Sequence, residues 1–327
     1  MRHLTGKEVG GRRREEAKSK KSPSLSLFHL LFLFLLLPSN IAAQPVDSLL
    51  TDLVVLAAFQ DARALAADPS GKLYVVDAGQ DAVLQLAPSG IVLETLGDSG
   101  TGEGEFDQPM DVDPTNGLVL VVADAGNSRL QRFSRTFLPI ASLPVGRIKR
   151  FTPGSQVATL NIGSEGGVQE ADGRPIAVIT NNANEIFAID AIQQVVLKWD
   201  MSRRFERVIG GFDAGEGALD DPVAVAADEQ SLFVADRGQA AVVIYDPFGS
   251  YVRTLAPGLA EEVRAISVAG NELWIVLPRR IIVYSTRGQL LHTFAVTLEE
   301  PLVDVQRVGE RLYLLTALRL YAVEIHH

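Results

Sequence analysis

The chain has 327 residues, 47% hydrophobic and 21% charged, with a formal net charge of −10, enough apolar material for one large domain or two ordinary ones and too much for wholesale disorder. Cysteine is absent, which excludes disulfides, thiolate nucleophiles and Cys-ligated zinc. The charge is uneven: residues 1–43 carry eight Lys/Arg against three Asp/Glu, leaving 22 basic and 37 acidic residues, net −15, on the remaining 284, and so acidic a body repels phosphate backbones and argues against a nucleic-acid partner.

In chain order, a basic stretch with Arg2, Lys7, Arg12, Arg13, Arg14, Lys18, Lys20 and Lys21 comes first. A 13-residue apolar run, Leu25 to Leu37, follows, then Pro38-Ser39-Asn40 and the small pair Ala42-Ala43. Basic segment, short apolar run and small-residue exit predict a signal peptide over 1–43. The run is shorter than the roughly 20 residues a membrane-spanning helix needs. Cleavage after Ala43 is expected, with an uncleaved anchor as the alternative, and with it a secreted, periplasmic or cell-envelope protein. Residues 44–51 read as a short linker and 52–327 as the folded body.

The body repeats. ARALAADPSGKLYVVDAGQDAVLQL begins at Ala62, PMDVDPTNGLVLVVADAGNSRLQRF at Pro109, PIAVITNNANEIFAIDAIQQVVLKW at Pro175 and PVAVAADEQSLFVADRGQAAVVIY at Pro222; weaker copies begin at Val263 and Leu302. Each copy holds short runs of Val, Ile, Leu, Phe and Tyr separated by Gly, Asn, Asp and Pro, the pattern of strands and tight turns, and no segment sustains a helical period. The equivalent inner-strand positions are Ala64, Asp111, Ala177, Ala224, Ala265 and Asp304, in steps of 47, 66, 47, 41 and 39 residues, where a four-stranded propeller blade takes about 40–45.

Gly102-Glu103-Gly104-Glu105-Phe106-Asp107-Gln108-Pro109 with Val122-Ala123-Asp124-Ala125-Gly126-Asn127-Ser128-Arg129-Leu130-Gln131, and Gly215-Glu216-Gly217-Ala218-Leu219-Asp220-Asp221-Pro222 with Val234-Ala235-Asp236, resemble the unit of the NHL-repeat family. That resemblance covers about residues 59–327. It implies an all-β fold, a six-bladed β-propeller of four-stranded antiparallel blades, and says little about chemistry. The sixth copy holds three strands, while Asp52–Phe59 has no blade of its own. Placing it as the fourth strand of blade six closes the ring and removes two open edges. The long step between blades two and three predicts an inserted hairpin or loop at about 147–171.

For chemistry, histidine comes first. The five are His3, His29, His292, His326 and His327, none on an inner strand, so the histidine constellation of lyases that share this architecture has no counterpart. Asp77, Asp124, Asp190 and Asp236 each end a second strand and read as turn-capping carboxylates. Breaks in the repeat say more. Asp111 and Asp304 stand where a small residue is expected, and Arg63 and Arg264 precede the same position in blades one and five. These four are the candidate ligand-binding residues of the channel mouth. The two carboxylates, as oxygen ligands, are the candidates for a divalent cation such as calcium; the alternative is Arg–Asp pairing that plugs the channel. Arg147, Lys149, Arg150, Arg279 and Arg280 form a basic group on the loop face. No residue demands catalysis. The expected function is a non-catalytic, monomeric scaffold outside the cytoplasm that recognises a protein, peptide or glycan on that face; the alternative is a divalent-cation-dependent lactonase, hydrolase or lyase working at the channel mouth.

Overall fold

The computed structural model describes residues 48–114, 117–147, 171–256, 258 and 262–325. The segment expected to be a signal peptide, Lys149, Arg150, the insert expected at about 147–171 apart from its ends, and the terminal histidine pair lie outside the described residues.

The fold is all-β: six blades of four antiparallel strands in a propeller arrangement. Their inner strands are Ala62–Ala67, Pro109–Asp113, Pro175–Thr180, Pro222–Ala227, Ala265–Ala269 and Leu302–Val308, for blades one to six in order. In blade one the second and third strands, Leu73–Asp77 and Ala82–Leu86, are buried throughout, while the outer strand Val92–Leu96 is exposed at all but its last residue. The unbroken apolar runs seen in the sequence belong to these sandwiched middle strands, and the mixed runs to the outer edge. Six apolar clusters fill the seams between neighbouring blades. One joins Val76 and Val83 of blade one to Phe106, Val122 and Phe133 of blade two, with Phe106 and Phe133 edge-to-face at 5.9 Å. Trp199 and Trp274, 2% and 1% exposed, serve such seams as core residues.

The repeated Asp-x-Gly has a packing reason. A Cβ on Gly79, Gly126 or Gly238 would come within 2.6 Å of Gln60, Asp107 or Asp220 on the link entering the same blade, so only glycine lets the turn and the link lie this close. The adjoining carboxylate ties the two together. Asp236 accepts from the backbone N–H groups of Asp220, Asp221 and Gln239; Asp77 accepts from those of Gln60, Asp61 and Gly79. Asp77, Asp124, Asp190 and Asp236 are all at most 1% exposed.

Val54–Ala58 pairs antiparallel with Arg319–Glu324 as the outer strand of blade six, so the ring closes as the repeat count demands. One strand was not expected from the sequence. Ser48–Leu50, within the stretch read as linker, runs parallel to Leu290–Val296 as a fifth strand on blade five and buries Leu50 in the seam between blades five and six. Among the described residues no helix is long and apolar enough to cross a membrane.

Candidate active site in the central channel

The six inner strands surround a cavity of about 450 Å³. Its wall follows from strand register. Inner strands enter through a β-bulge between the first residue and Ala64, Asp111, Ala177, Ala224 or Asp304; in blade five the N–H of Arg264 bonds Val276 O beside the Ala265–Val276 pair. Past the bulge, residues alternate between pairs bonded to the second strand and pairs whose backbone groups point away from it. The second set begins with Leu65, Val112, Val178, Val225, Ile266 and Val305. Their N–H groups form a ring directed into the channel.

Asp111 and Asp304 serve this ring. Asp304 accepts from Val305 of its own strand at 2.7 Å and from Leu65 of blade one at 2.9 Å. Asp111 accepts from Val112 at 2.8 Å and from Val178 of blade three at 2.7 Å. One turn deeper, Asp113 accepts from Thr180 at 2.6 Å. Each carboxyl thus stitches its blade to the next. Burial pushes the Asp304 carboxyl up to about 7, the two backbone donors opposing the shift. Asp111 is held well above the ordinary carboxylate range, first by burial and then by the charges of Asp304 and Asp113, against the pull of Val178 and Val112. Both side chains remain partly open to the lumen. A carboxyl protonated at this point accepts the backbone bonds through lone pairs and keeps its O–H for the channel.

The four residues expected at the channel mouth, Arg63, Asp111, Arg264 and Asp304, line this one cavity. Their pairing differs from the Arg–Asp plug. Arg63 bonds Asp61, two residues away, and is 45% exposed. Arg264 is exposed. A guanidinium at the rim keeps its hydration and reaches a neighbouring surface carboxylate, whereas entering the lumen would strip water from both charges. Of the loop-face group, Arg147 pairs with Asp172 at 2.6 Å. Arg279 donates to the carbonyls of Leu298, Glu299 and Glu300, fixing the link between blades five and six. Arg280 begins the third strand of blade five. Arg147 follows the outer strand of blade two and Arg279 precedes the third strand of blade five, so the group is spread over separate blades. His292 lies on the outer strand of blade five, 5.8 Å from the Phe294 ring, away from the channel.

The donor set does not fit a divalent cation. Asp111 and Asp304 direct both oxygens at backbone N–H groups, which leaves little lone-pair capacity for an oxygen-ligated cation. No three His, Cys, Asp or Glu side chains gather as a metal-holding group among the described residues.

No family model matches the sequence, so the NHL resemblance stands on its motifs alone, and no curated protein matches it either. Solved structures do. A gluconolactonase from Xanthomonas campestris aligns with a TM-score of 0.60 at 16% identity, over 84% of this chain and 89% of its own. A luciferin-regenerating enzyme aligns at 0.56 and 14%, over 83% and 95%. Virginiamycin B lyase from Staphylococcus aureus aligns at 0.54 and 9%, over 81% and 80%. At these identities the likeness shows the fold, a six-bladed propeller, and no more. On the functional expectation these structures give a correction in direction: the three named are enzymes, which favours the alternative reading over the non-catalytic scaffold.

Proposed function

We propose that the protein is an enzyme of the hydrolase or lyase kind, acting on a small polar molecule in the central channel through acid–base chemistry of Asp304 and Asp111. The observation that carries this reading is the Asp304 carboxyl, buried at the channel wall with its pKa pushed up to about 7. A proton donor and acceptor works best when its pKa lies near the operating pH, and raised carboxyls in a cavity are the usual mark of such a group. The pair divides naturally. Asp304, close to half ionised at neutral pH, takes a proton from an attacking water or from the substrate carbon and returns it to the leaving oxygen. Asp111, whose burial favours its acid form, donates its O–H when protonated to the oxygen on which charge develops.

That the neighbouring propellers are enzymes supports a catalytic reading, and the gluconolactonase among them supports ring-opening of a lactone as the first reaction to try. A metal is not part of the reading, because the carboxylates are turned to the backbone. A histidine base is not part of it either: a catalytically inactive form of the lyase carries a histidine-to-alanine change, whereas here His292 lies on an outer strand. We place the activity outside the cytoplasm on the strength of the N-terminal leader.

The test is turnover of a panel of aldonolactones and simple esters by the wild type and by Asp304→Asn, across pH 5–9 and with a chelator. The reading expects a rate that follows a group titrating near 7, survives the chelator and falls by about 10²–10⁴ in the variant. Equal rates for the two proteins would overturn it.

A further inference from the structure

The ring of inward N–H groups has a three-part order that the side chains of the chain complete only twice. Asp111 on blade two serves Val112 and Val178; Asp304 on blade six serves Val305 and Leu65. Four of the six donors are thereby bonded, in two adjacent pairs. The third pair, Val225 and Ile266, belongs to blades four and five, opposite blades one and two. The residue that stands on blade four where Asp111 and Asp304 stand on theirs is Ala224, as its register opposite Ala235 shows. Its methyl group points the same way as the two carboxyls, toward the next blade, where it packs in the apolar seam with Ile266. Val225 and Ile266 lie opposite Val234 and Ile275 in the pairs that do not bond across the ladder. Among the described residues no side chain accepts from them.

We propose that this third position is a binding seat for the carboxylate of a small ligand, its two oxygens accepting from the N–H groups of Val225 and Ile266 as those of Asp111 and Asp304 accept from theirs. The two occupied positions show what such a pair of donors takes: a carboxylate that spans adjacent blades with N–O distances of 2.7 to 2.9 Å. Charge-assisted bonds of this kind are about twice as strong as neutral ones. The seat opens on the cavity, since Ala224, Val225 and Ile266 all line it. Arg264, exposed on the strand entering blade five, lines the same cavity and supplies a cation to draw an anion to the mouth. Burial favours the neutral form of Asp111 and Asp304, which lowers their repulsion toward an incoming carboxylate. The inference does not depend on turnover: the seat exists in a channel that only binds.

The experiment is a titration of the full-length, ¹⁵N-labelled protein with sodium acetate against sodium chloride at equal ionic strength, following the amides of Leu65, Val112, Val178, Val225, Ile266 and Val305. The expected result is a saturable shift of the Val225 and Ile266 amides by acetate, with the other four nearly still. Ala224→Asp supplies an internal carboxylate and should weaken acetate binding by more than tenfold, while moving both amides in the absence of acetate toward their acetate-bound positions. Should that variant fail to fold, Ala224→Val keeps the seam apolar, crowds the seat and should also abolish the shift. Val225 and Ile266 amides that ignore acetate in the wild type, or a folded Ala224→Asp or Ala224→Val protein that binds acetate as the wild type does, would overturn the proposal. Loss of turnover in Asp304→Asn tests the catalytic reading separately, so either can fail alone.

Discussion

Two sets of aspartates on the propeller blades behave differently, and the contrast separates scaffold from chemistry. Asp124 sits at the end of a second strand and accepts from the backbone of Asp107 and from the side chains of Asn127, Arg129 and Gln131. Asp111, in the same blade and one strand nearer the axis, has two backbone donors and the lumen. Asp124 has left bulk water altogether, while Asp111 is largely desolvated and stays partly open to the lumen. A carboxylate with charged and neutral donors on both oxygens is held as a strut. One with half that number, beside two other carboxyls, is driven toward its acid form, and its proton becomes available to whatever enters the cavity.

The largest effect expected from breaking this comparison is on the strut side. Asp236→Ala removes a buried carboxylate that accepts from three part-buried backbone N–H groups and should cost about 3 kcal/mol or more of stability, read by urea denaturation. Asp304→Asn should do the opposite at high pH. Its folded pKa is raised, to about 7, so the folded state holds a proton that the unfolded chain has lost above its ordinary value near 4. The wild type therefore loses stability relative to the variant as pH rises from about 4 to about 7, by up to about 1.4 kcal/mol per pH unit, and the difference levels off above that. Melts of the two proteins at pH 4, 5.5, 7 and 8.5 measure it; parallel curves would show that the carboxyl is not held in its acid form.

Calcium sharpens the contrast from another side. A cation site of useful affinity would add about 2.7 kcal/mol at a hundredfold excess over its dissociation constant. With both carboxyls turned to backbone donors, the wild type should melt at the same temperature in millimolar calcium as with a chelator. The smallest effect belongs to Arg63. Its pair with Asp61 is exposed on both sides, 45% and 36%, so Arg63→Ala should change stability by less than about 1 kcal/mol while leaving the Asp304 titration where it was.

How much of this was legible follows from what kind of group does the work. Blade count, the inner-strand positions and the closing strand were readable, because strand burial writes itself into Val, Ile and Leu runs at a fixed repeat. Asp111 and Asp304 were readable as breaks in that repeat. Their partners were not. Every residue but proline carries the same N–H, and only the bulge and the register after it decide that Leu65 and Val178 point inward. The partner of Arg63 was missed because an exposed carboxylate two residues away costs less desolvation to reach than a buried one across the channel. The fifth strand, Ser48–Leu50, is three residues long and pairs in parallel without a hairpin, so no turn announces it.

The way the ring closes also shapes how the protein folds. Most of its strands pair with a neighbour a few residues away, contacts that form early and cheaply. Val54–Ala58 must instead find Arg319–Glu324, about 265 residues further along, a loop closure that costs roughly 3–4 kcal/mol more in chain entropy than a tight turn. The stretch of folded body made first therefore waits for the last, and until the final blade emerges from the ribosome both ends of the growing arc expose unpaired edges. Slow, late zipping of a single strand, with aggregation as its competitor, is the kinetic signature that this topology imposes.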